Sequence, residues 1–189
     1  NNGKEISIEQ FRKLEEFASL LLDANRRINL ISRKDEEQVW ENHILHSLSI
    51  HLTKNLEGSL SILDLGTGGG LPGIPIKILN NEIEITLIDS IQKKVNILSD
   101  IVSELKLSGA KIVCGRAENM GKNKEFIGKF DIVISRAVAP LDDLITWSKP
   151  FLKRGGKLLA LKGGDITAEI QKCETQLKTK IFEEVIDLN

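Results

Sequence analysis

The chain has 189 residues, a length typical of one domain with a sizeable core. Its 41% hydrophobic and 28% charged residues are typical of soluble globular proteins, and no apolar run approaches the roughly 20 residues that a membrane span needs. The formal charge of -1 argues against a general nonspecific nucleic-acid binder, so any RNA contact has to be local.

The first 57 residues are predicted to form a helical extension packed on the core. Ser7-Ile8-Glu9-Gln10 has the pattern of a capping box, and the apolar spacing after it predicts a helix to about Asn29. Asp35, with Gln38 three residues on, is the predicted cap of a second helix. The apolar stripe of that helix would consist of Val39, Ile44, Leu45, Leu48 and Leu52.

Residues 58–189 are predicted to form the core. Short runs rich in Ile, Leu and Val begin every 19 to 27 residues, which is the length of a strand, a crossover helix and two loops. Several runs are apolar on both faces, as parallel strands covered by helices are. The predicted fold class is therefore α/β, with an open, doubly wound, mostly parallel sheet. The predicted strands are Leu60 to Leu65, Glu84 to Ile88, Lys111 to Cys114, Phe130 to Ile134, Lys157 to Leu161 and Ile181 to Ile186.

A glycine-rich segment directly follows the first predicted strand. It runs Gly66-Thr67-Gly68-Gly69-Gly70-Leu71-Pro72-Gly73-Ile74-Pro75. Glycines permit positive φ and let a ligand lie against bare backbone, while a proline fits the first turn of the next helix. Five glycines within eight residues exceed what a tight turn needs, so we predict a nucleotide-like ligand at this loop and helix N-terminus.

The residues alone leave two cofactors open for this loop. Gly68, Gly70 and Gly73 satisfy the G-x-G-x-x-G pattern of NAD-binding proteins. Asp64, just before the loop, would suit the ammonium group of S-adenosylmethionine and would repel a pyrophosphate. Asp89, at the end of the second predicted strand, would suit the ribose of either cofactor. Alternatively, Asp64 caps a turn and Asp89 is a solvated strand end.

Motifs spread over nearly the whole chain carry a resemblance to a known family. They are Asp64 to Pro75, Arg116-Ala117-Glu118, Ile134-Ser135-Arg136-Ala137, Leu161-Lys162-Gly163, Asn29-Leu30-Ile31-Ser32 and His43 to Leu48. Together they resemble the glucose-inhibited division protein B family, bacterial S-adenosylmethionine-dependent methyltransferases that act on guanine N7 in 16S ribosomal RNA of the small subunit. The resemblance implies a class I, Rossmann-like methyltransferase with cofactor contacts at Gly66, Leu71, Ala117, Glu118 and Arg136.

Two features depart from the pattern of that family. Its members commonly have Asp where this chain has His46. They also continue into a final strand beyond the position of Asn189, so we expect the 58–189 core to lack that strand.

We predict an rRNA (guanine-N7-)-methyltransferase in which Arg136 positions the reactants and no side chain acts as a general base. The full set of predicted cofactor-binding residues is Asp64, Gly66, Gly68, Gly70, Leu71, Asp89, Ala117, Glu118 and Arg136. The alternatives are a surface ion pair between Arg116 and Glu118 and a solvated loop position for Arg136. Rival functions are an NAD-dependent oxidoreductase, although the chain has no Tyr, and a non-catalytic ribosomal RNA-binding assembly factor.

The expected partner is 16S ribosomal RNA or the small ribosomal subunit, bound by a monomer in the cytoplasm without membrane contact. RNA phosphates are predicted to contact the basic residues Arg26, Arg27, Arg33 and Lys34. A second basic cluster, which is the alternative footprint, consists of Lys149, Lys153, Arg154 and Lys157. No metal site is expected, because no cysteine or second histidine pair complements His43 and His46.

Overall fold

The computed structural model of the protein describes residues 5–136 and 138–186. Residues 1–4, Ala137 of the predicted motif and residues 187–189 lie outside this range. The helices are α1 Ile8–Asn25, α2 His46–Leu52, α3 Gly73–Leu79, α4 Gln92–Glu104, α5 Ala117–Met120, α6 Leu141–Ser148 and α7 Thr167–Leu177. The strands are β1 Ser61–Leu65, β2 Glu84–Asp89, β3 Ala110–Cys114, β4 Phe130–Arg136 and β5 Leu152–Leu161.

The five strands form one parallel sheet in the order β3-β2-β1-β4-β5. Parallel strands need crossover connections, and the helices between them cover both faces of the sheet. The predicted doubly wound sheet is therefore confirmed. The strand order reverses between β1 and β4, and ligands of such folds bind outside the carboxyl ends of the strands at this point.

The capping box at the start of α1 is confirmed. The Ser7 hydroxyl accepts from the backbone N–H of Gln10 at 3.1 Å, and the Gln10 side chain accepts from the N–H of Ser7 at 2.9 Å. The helix ends at Asn25, four residues earlier than predicted. The reason is local, because the Asn25 side-chain oxygen accepts from the N–H groups of Leu30 and Ile31 and folds the chain back.

The second predicted helix is interrupted, and the prediction of Asp35 as its cap is wrong. Ser32 caps a 3-10 helix over Arg33–Gln38, which is followed by a π-helix over Trp40–Leu45 and then by α2. A π-helix bonds residue i to i+5, which shifts the face that later side chains present. Consequently Val39, Ile44 and Leu48 of the predicted stripe are buried, whereas Leu45 and Leu52 are exposed.

The predicted sixth strand at residues 181–186 is wrong. The segment pairs with no other strand in the part of the chain that the structure describes, and Phe182 and Val185 are 82% and 86% exposed. The N–H of Ile181 donates to the carboxylate of Glu174 on α7 instead of to a strand. An apolar run forms a strand only where a neighbouring strand pairs with it.

The hydrophobic core lies on both faces of the sheet. On one face α1, α3 and α4 pack against the strands, with Phe17 and Leu21 of α1 fully buried. On the other face, Phe130 and Phe151 pack edge to face with ring centroids 6.4 Å apart. Within the described ranges, no helix is both long and apolar enough to cross a membrane.

Candidate functional site: a cavity at the carboxyl edge of the sheet

A cavity of about 440 Å³ opens where β1, β2 and β4 end. The end of β1 and the glycine loop form its floor, and the ends of β2 and β4 lie beside it. Its lining consists of Leu30, Leu65, Gly66, Thr67, Gly68, Gly69, Leu71, Ile88, Asp89, Ser90, Ile91, Lys94, Gly115, Arg116, Ala117, Glu118, Arg136, Val138 and Trp147. The cavity therefore lies at the switch point that the strand order defines.

The glycine loop is fixed to β2 by its backbone. The N–H groups of Gly66 and Thr67 both donate to the carbonyl of Ile88 at 2.9 Å. Gly66 has a φ of +74°, and a Cβ on it would lie 2.6 Å from Cγ2 of Val138. Gly68 has a φ of +56°, but a Cβ there would meet only the Leu30 carbonyl oxygen, at 4.0 Å. Gly68 thus presents bare backbone to open space at the cavity wall.

Asp64 lies beneath the loop and is fully buried. Its Oδ2 accepts from the hydroxyl of Thr67 at 2.7 Å and from the N–H of Gly73 at 2.9 Å. Its Oδ1 has no hydrogen-bond partner among the described residues. Burial raises the pKa of Asp64 to about 7, against the lowering effect of these hydrogen bonds and of the Arg136 charge. Asp64 therefore caps the turn and also holds one unsatisfied oxygen.

Asp89 lies at the cavity wall and is 8% exposed, so it is not a solvated strand end. Its Oδ2 accepts from the N–H of Gly68 at 3.0 Å, and its Oδ1 accepts from the N–H of Ile91 at 2.9 Å. Each carboxylate oxygen has two lone pairs, so one on each oxygen is left for a ligand hydroxyl.

Arg136 is the last residue of β4, and its side chain contacts two residues of the π-helix. One of its terminal nitrogens, Nη1, donates to the carbonyl of Asn42 at 3.1 Å and lies 3.0 Å from Nδ1 of His43. Arg136 is half-buried and lines the cavity, so it is not a solvated loop residue. Burial lowers its pKa, and the charges of Asp64 and Asp35 raise it.

The structure brings seven of the nine predicted cofactor-binding residues to the cavity wall. They are Gly66, Gly68, Leu71, Asp89, Ala117, Glu118 and Arg136. Asp64 and Gly70 are not part of the lining; a Cβ on Gly70 would lie 2.5 Å from Cδ1 of Ile74. Residues 72–75 do not line it either, so the cavity lies along the loop and not at the N-terminus of α3. The first N–H of that helix, at Gly73, points inward to Asp64.

Several lining residues have no counterpart among the predicted site residues. Leu30 lies in a motif of the resemblance, but its distance in sequence from the glycine loop gives no sign that it covers the loop. Val138 and Trp147 come from the segment after β4 and from α6, and no spacing rule points to them. Arg116 and Glu118 are both exposed and form no ion pair with each other in the described structure.

The two basic clusters lie at different edges of the sheet. Arg26, Arg27, Arg33 and Lys34 are exposed, and each is three or four residues from Leu30, which lines the cavity. The second cluster lies at the amino edge, where Lys153 pairs with Asp131 at the start of β4 and Lys157 bonds Asn55, ahead of β1. Of the second cluster, Lys149 is two residues from the lining residue Trp147, whereas Lys153 and Lys157 bond to residues at the amino edge.

The fold defines the class of protein. It is similar to that of an S-adenosylmethionine-dependent methyltransferase from Aquifex aeolicus, with a TM-score of 0.55 at 16% identity over 77% of this chain and 83% of that chain. It is also similar to the cyclase SpnF, with a TM-score of 0.57 at 21% identity over 80% of this chain and 59% of that chain. The molecule therefore has the class I, Rossmann-like methyltransferase fold.

The sequence comparisons identify the family within this class. The family model described as rRNA small subunit methyltransferase G (GidB) matches residues 10–186. A protein named ribosomal RNA small subunit methyltransferase G from Caldanaerobacter subterraneus subsp. tengcongensis is 42% identical over 96% of this chain and 75% of its own length. One of the same name from Streptococcus agalactiae serotype III is 41% identical over 100% of this chain and 80% of its own length. The chain belongs to this family, which confirms the predicted resemblance.

Proposed function

We propose that the protein transfers a methyl group from S-adenosylmethionine to N7 of a guanine in 16S ribosomal RNA of the small subunit, in the bacterial cytoplasm. The observation that carries the proposal is the cavity at the point where the strand order reverses. Its wall includes the bare backbone of Gly68 and the carboxylate of Asp89, which are joined by a hydrogen bond. The name of the family supplies the substrate class.

The residues at the cavity fit this cofactor. Asp89 would accept from the ribose hydroxyls through the lone pairs that Gly68 and Ile91 leave free. The backbone at Gly66 and Gly68 would lie against the amino-acid portion. Below it, Asp64 has a buried oxygen without a partner, and a nearby positive charge would stabilise its ionised form. Ala117 and Glu118, at the start of α5, would border the adenine.

The methyl transfer itself requires no proton transfer to or from a protein side chain. The cofactor, when bound, supplies a sulfonium methyl group that is already electrophilic, and guanine N7 has a lone pair and no proton. The protein therefore has to align the two reactants, and such alignment contributes roughly 7 to 11 kcal/mol in well-oriented reactions. Arg136 cannot accept a proton, because its guanidinium is permanently charged, and it is assigned a positioning role at the cavity wall.

The position of the first basic cluster supports an RNA footprint next to the cavity. Arg33 and Lys34 begin the 3-10 helix that follows Leu30, a lining residue. Phosphate contacts from such residues position a nucleic acid without reading its sequence. A guanine splayed from the RNA would then enter the cavity from the side of this cluster.

Titration calorimetry with the two cofactors distinguishes the proposed methyltransferase from the rival function, an NAD-dependent oxidoreductase. We expect binding of S-adenosylmethionine and S-adenosylhomocysteine and no binding of NAD, because the N–H of Gly73 at the start of α3 already donates to Asp64 and is not available to a pyrophosphate. Binding of NAD without S-adenosylhomocysteine would contradict the proposal. Transfer of a labelled methyl group to small-subunit RNA then separates the enzyme from a non-catalytic assembly factor, which would bind RNA without labelling it.

A further inference from the structure

His43 contacts Arg136 and is not among the residues that line the cavity. It is 8% exposed, and its Nδ1 is 3.0 Å from Nη1 of Arg136. The same Nη1 donates to the carbonyl of Asn42, so both of its N–H groups have acceptors from the π-helix. The other three N–H groups of Arg136 make no further protein hydrogen bond within the described residues, and the side chain lines the cavity.

The chemistry of this pair fixes the tautomer of His43. A guanidinium has only donors, so the 3.0 Å contact is a hydrogen bond only if Nδ1 carries no proton. The proton of the neutral ring then lies on Nε2, which is 3.6 Å from Oδ2 of Asp35. Burial and the charge of Arg136 lower the pKa of His43, while Asp35 raises it.

The π-helix creates this arrangement. Asn42 and His43 lie inside the six-residue π-helix, and this segment offers a main-chain oxygen and a ring nitrogen to one guanidinium nitrogen. Single π-turns are frequent at functional sites, where they re-aim side chains. The segment also contacts the 3-10 helix before it, because His43 lies 3.6 Å from Asp35, and that helix carries Arg33 and Lys34 of the first basic cluster.

We propose that His43 is a positioning residue for the methyl transfer, holding the guanidinium of Arg136 at the cavity wall by accepting its hydrogen bond through Nδ1. This inference rests on the proposed function, because Arg136 matters only if it lies beside the reactants. The neutral ring adds an acceptor without adding a charge. In a protonated ring Nδ1 also carries a proton and cannot accept from the guanidinium, so the hydrogen bond to Arg136 would be lost.

Three variants of His43 test the role of the acceptor. The side-chain oxygen of Asn lies where Nδ1 lies, so His43→Asn keeps an acceptor for Arg136, whereas His43→Gln places its amide further out and His43→Ala removes it. We expect the single-turnover rate of His43→Ala and His43→Gln to fall about tenfold to a hundredfold, the scale of loss that a small misalignment of the reactants causes. The rate of His43→Asn should stay well above both. The affinity for S-adenosylhomocysteine should fall less than the rate in all three, because Asp89 and the glycine loop do not depend on His43.

The pH profile separates positioning from a purely structural role. Among the described residues, the charged or titratable groups that act on His43 are Asp35, His46 and Arg136. Because the pKa of His43 lies below its ordinary 6.5, wild-type transfer should slow only below about pH 6.5, towards the rate of His43→Ala, and should be level above neutrality. His43→Asn should lose this acid limb, and the control His46→Asn should keep it. An acid limb that survives in His43→Asn and disappears in His46→Asn overturns the proposal.

Nitrogen-15 NMR of the histidine rings gives a readout that is independent of activity. We expect Nδ1 of His43 to be unprotonated and Nε2 to be protonated at pH 7.5, and expect this preference to weaken in Arg136→Ala. A protonated Nδ1 would overturn the assignment. If wild-type protein methylates no RNA, the proposed function fails; if it does and His43→Ala transfers at the wild-type rate, only the role of His43 fails.

Discussion

Asp89, the last residue of β2, accepts a hydrogen bond from the N–H of Gly68 at 3.0 Å and so joins the strand end to the glycine loop. The same carboxylate accepts from Ile91 and lies at the cavity wall. One side chain thereby fixes the loop and offers acceptors to a ligand.

Asp89→Ala should weaken the binding of S-adenosylhomocysteine by about 1 to 3 kcal/mol, the usual cost of leaving polar groups without partners. Calorimetry measures the change. The matched control is Asp131→Ala, since Asp131 also accepts from a backbone N–H, that of Ser61, but lies at the amino edge of the sheet. An unchanged dissociation constant in Asp89→Ala, or equal losses in both variants, would contradict the role of Asp89.

Gly68→Ala should reduce cofactor affinity by at least about tenfold, or 1.4 kcal/mol, because a methyl group would stand on backbone that the ligand has to approach. Gly58→Ala provides the control. Both glycines have positive φ, +56° and +81°, and a Cβ on either would meet no side chain. The two variants should therefore lose similar stability, about 1 to 2 kcal/mol from the left-handed backbone. Urea unfolding and calorimetry test this, and a cofactor affinity in Gly68→Ala equal to that in Gly58→Ala would count against the loop as the binding surface.

The buried carboxyl of Asp64 should make stability depend on pH. Its pKa is raised from 3.8 to about 7, so the folded protein keeps this proton between about pH 4 and pH 7 while the unfolded chain has lost it. This contribution to the free energy of unfolding therefore falls as the pH rises through that window and levels off above it.

Asp64→Asn isolates the effect, since the amide oxygen can still accept from Thr67 and Gly73. Between pH 5 and pH 8, the free energy of unfolding of wild type should fall by about 2 to 3 kcal/mol relative to that of Asp64→Asn. Urea unfolding at the two pH values measures it. A difference between the two proteins that does not change with pH would show that the carboxyl is not held protonated.

The RNA footprint is tested by the salt dependence of binding. Replacing Arg33 and Lys34 with alanine should flatten the slope of log affinity against log salt by roughly 1.4 to 1.8, since each phosphate contact contributes about 0.7 to 0.9. Cofactor affinity should not change. Lys153 and Arg154, replaced together, form the control at the opposite edge. If the control pair flattens the slope instead, the footprint lies at the amino edge.

The sequence predicted the sheet well because the three central strands, β1, β2 and β4, are rich in apolar residues and largely buried, whereas the edge strands β3 and β5 are only partly buried. Residues 181–186 carry a similar pattern, but no strand among the described residues borders them, and pairing cannot be inferred from one segment alone.

The two acidic residues show why the site was predicted only in part. Asp64 is paired with Leu87 inside the sheet, whereas Asp89 lies one residue beyond the last β1 pair, Leu65 with Ile88. This register puts Asp89 at the cavity and Asp64 beneath the loop. The contact between His43 and Arg136 joins residues 93 positions apart through a π-helix, and no periodicity in the sequence signals it.

The most direct test of the proposed reaction is to identify its product. Small ribosomal subunits lacking the modification are incubated with the protein and S-adenosylmethionine, and the 16S RNA is then digested and its nucleosides are separated by mass spectrometry. We predict one new modified nucleoside, 7-methylguanosine, which is absent with the Gly68→Ala protein at limiting cofactor and present with Gly58→Ala. A methyl group on another atom or base, or none at all with protein that binds S-adenosylmethionine, would contradict the account.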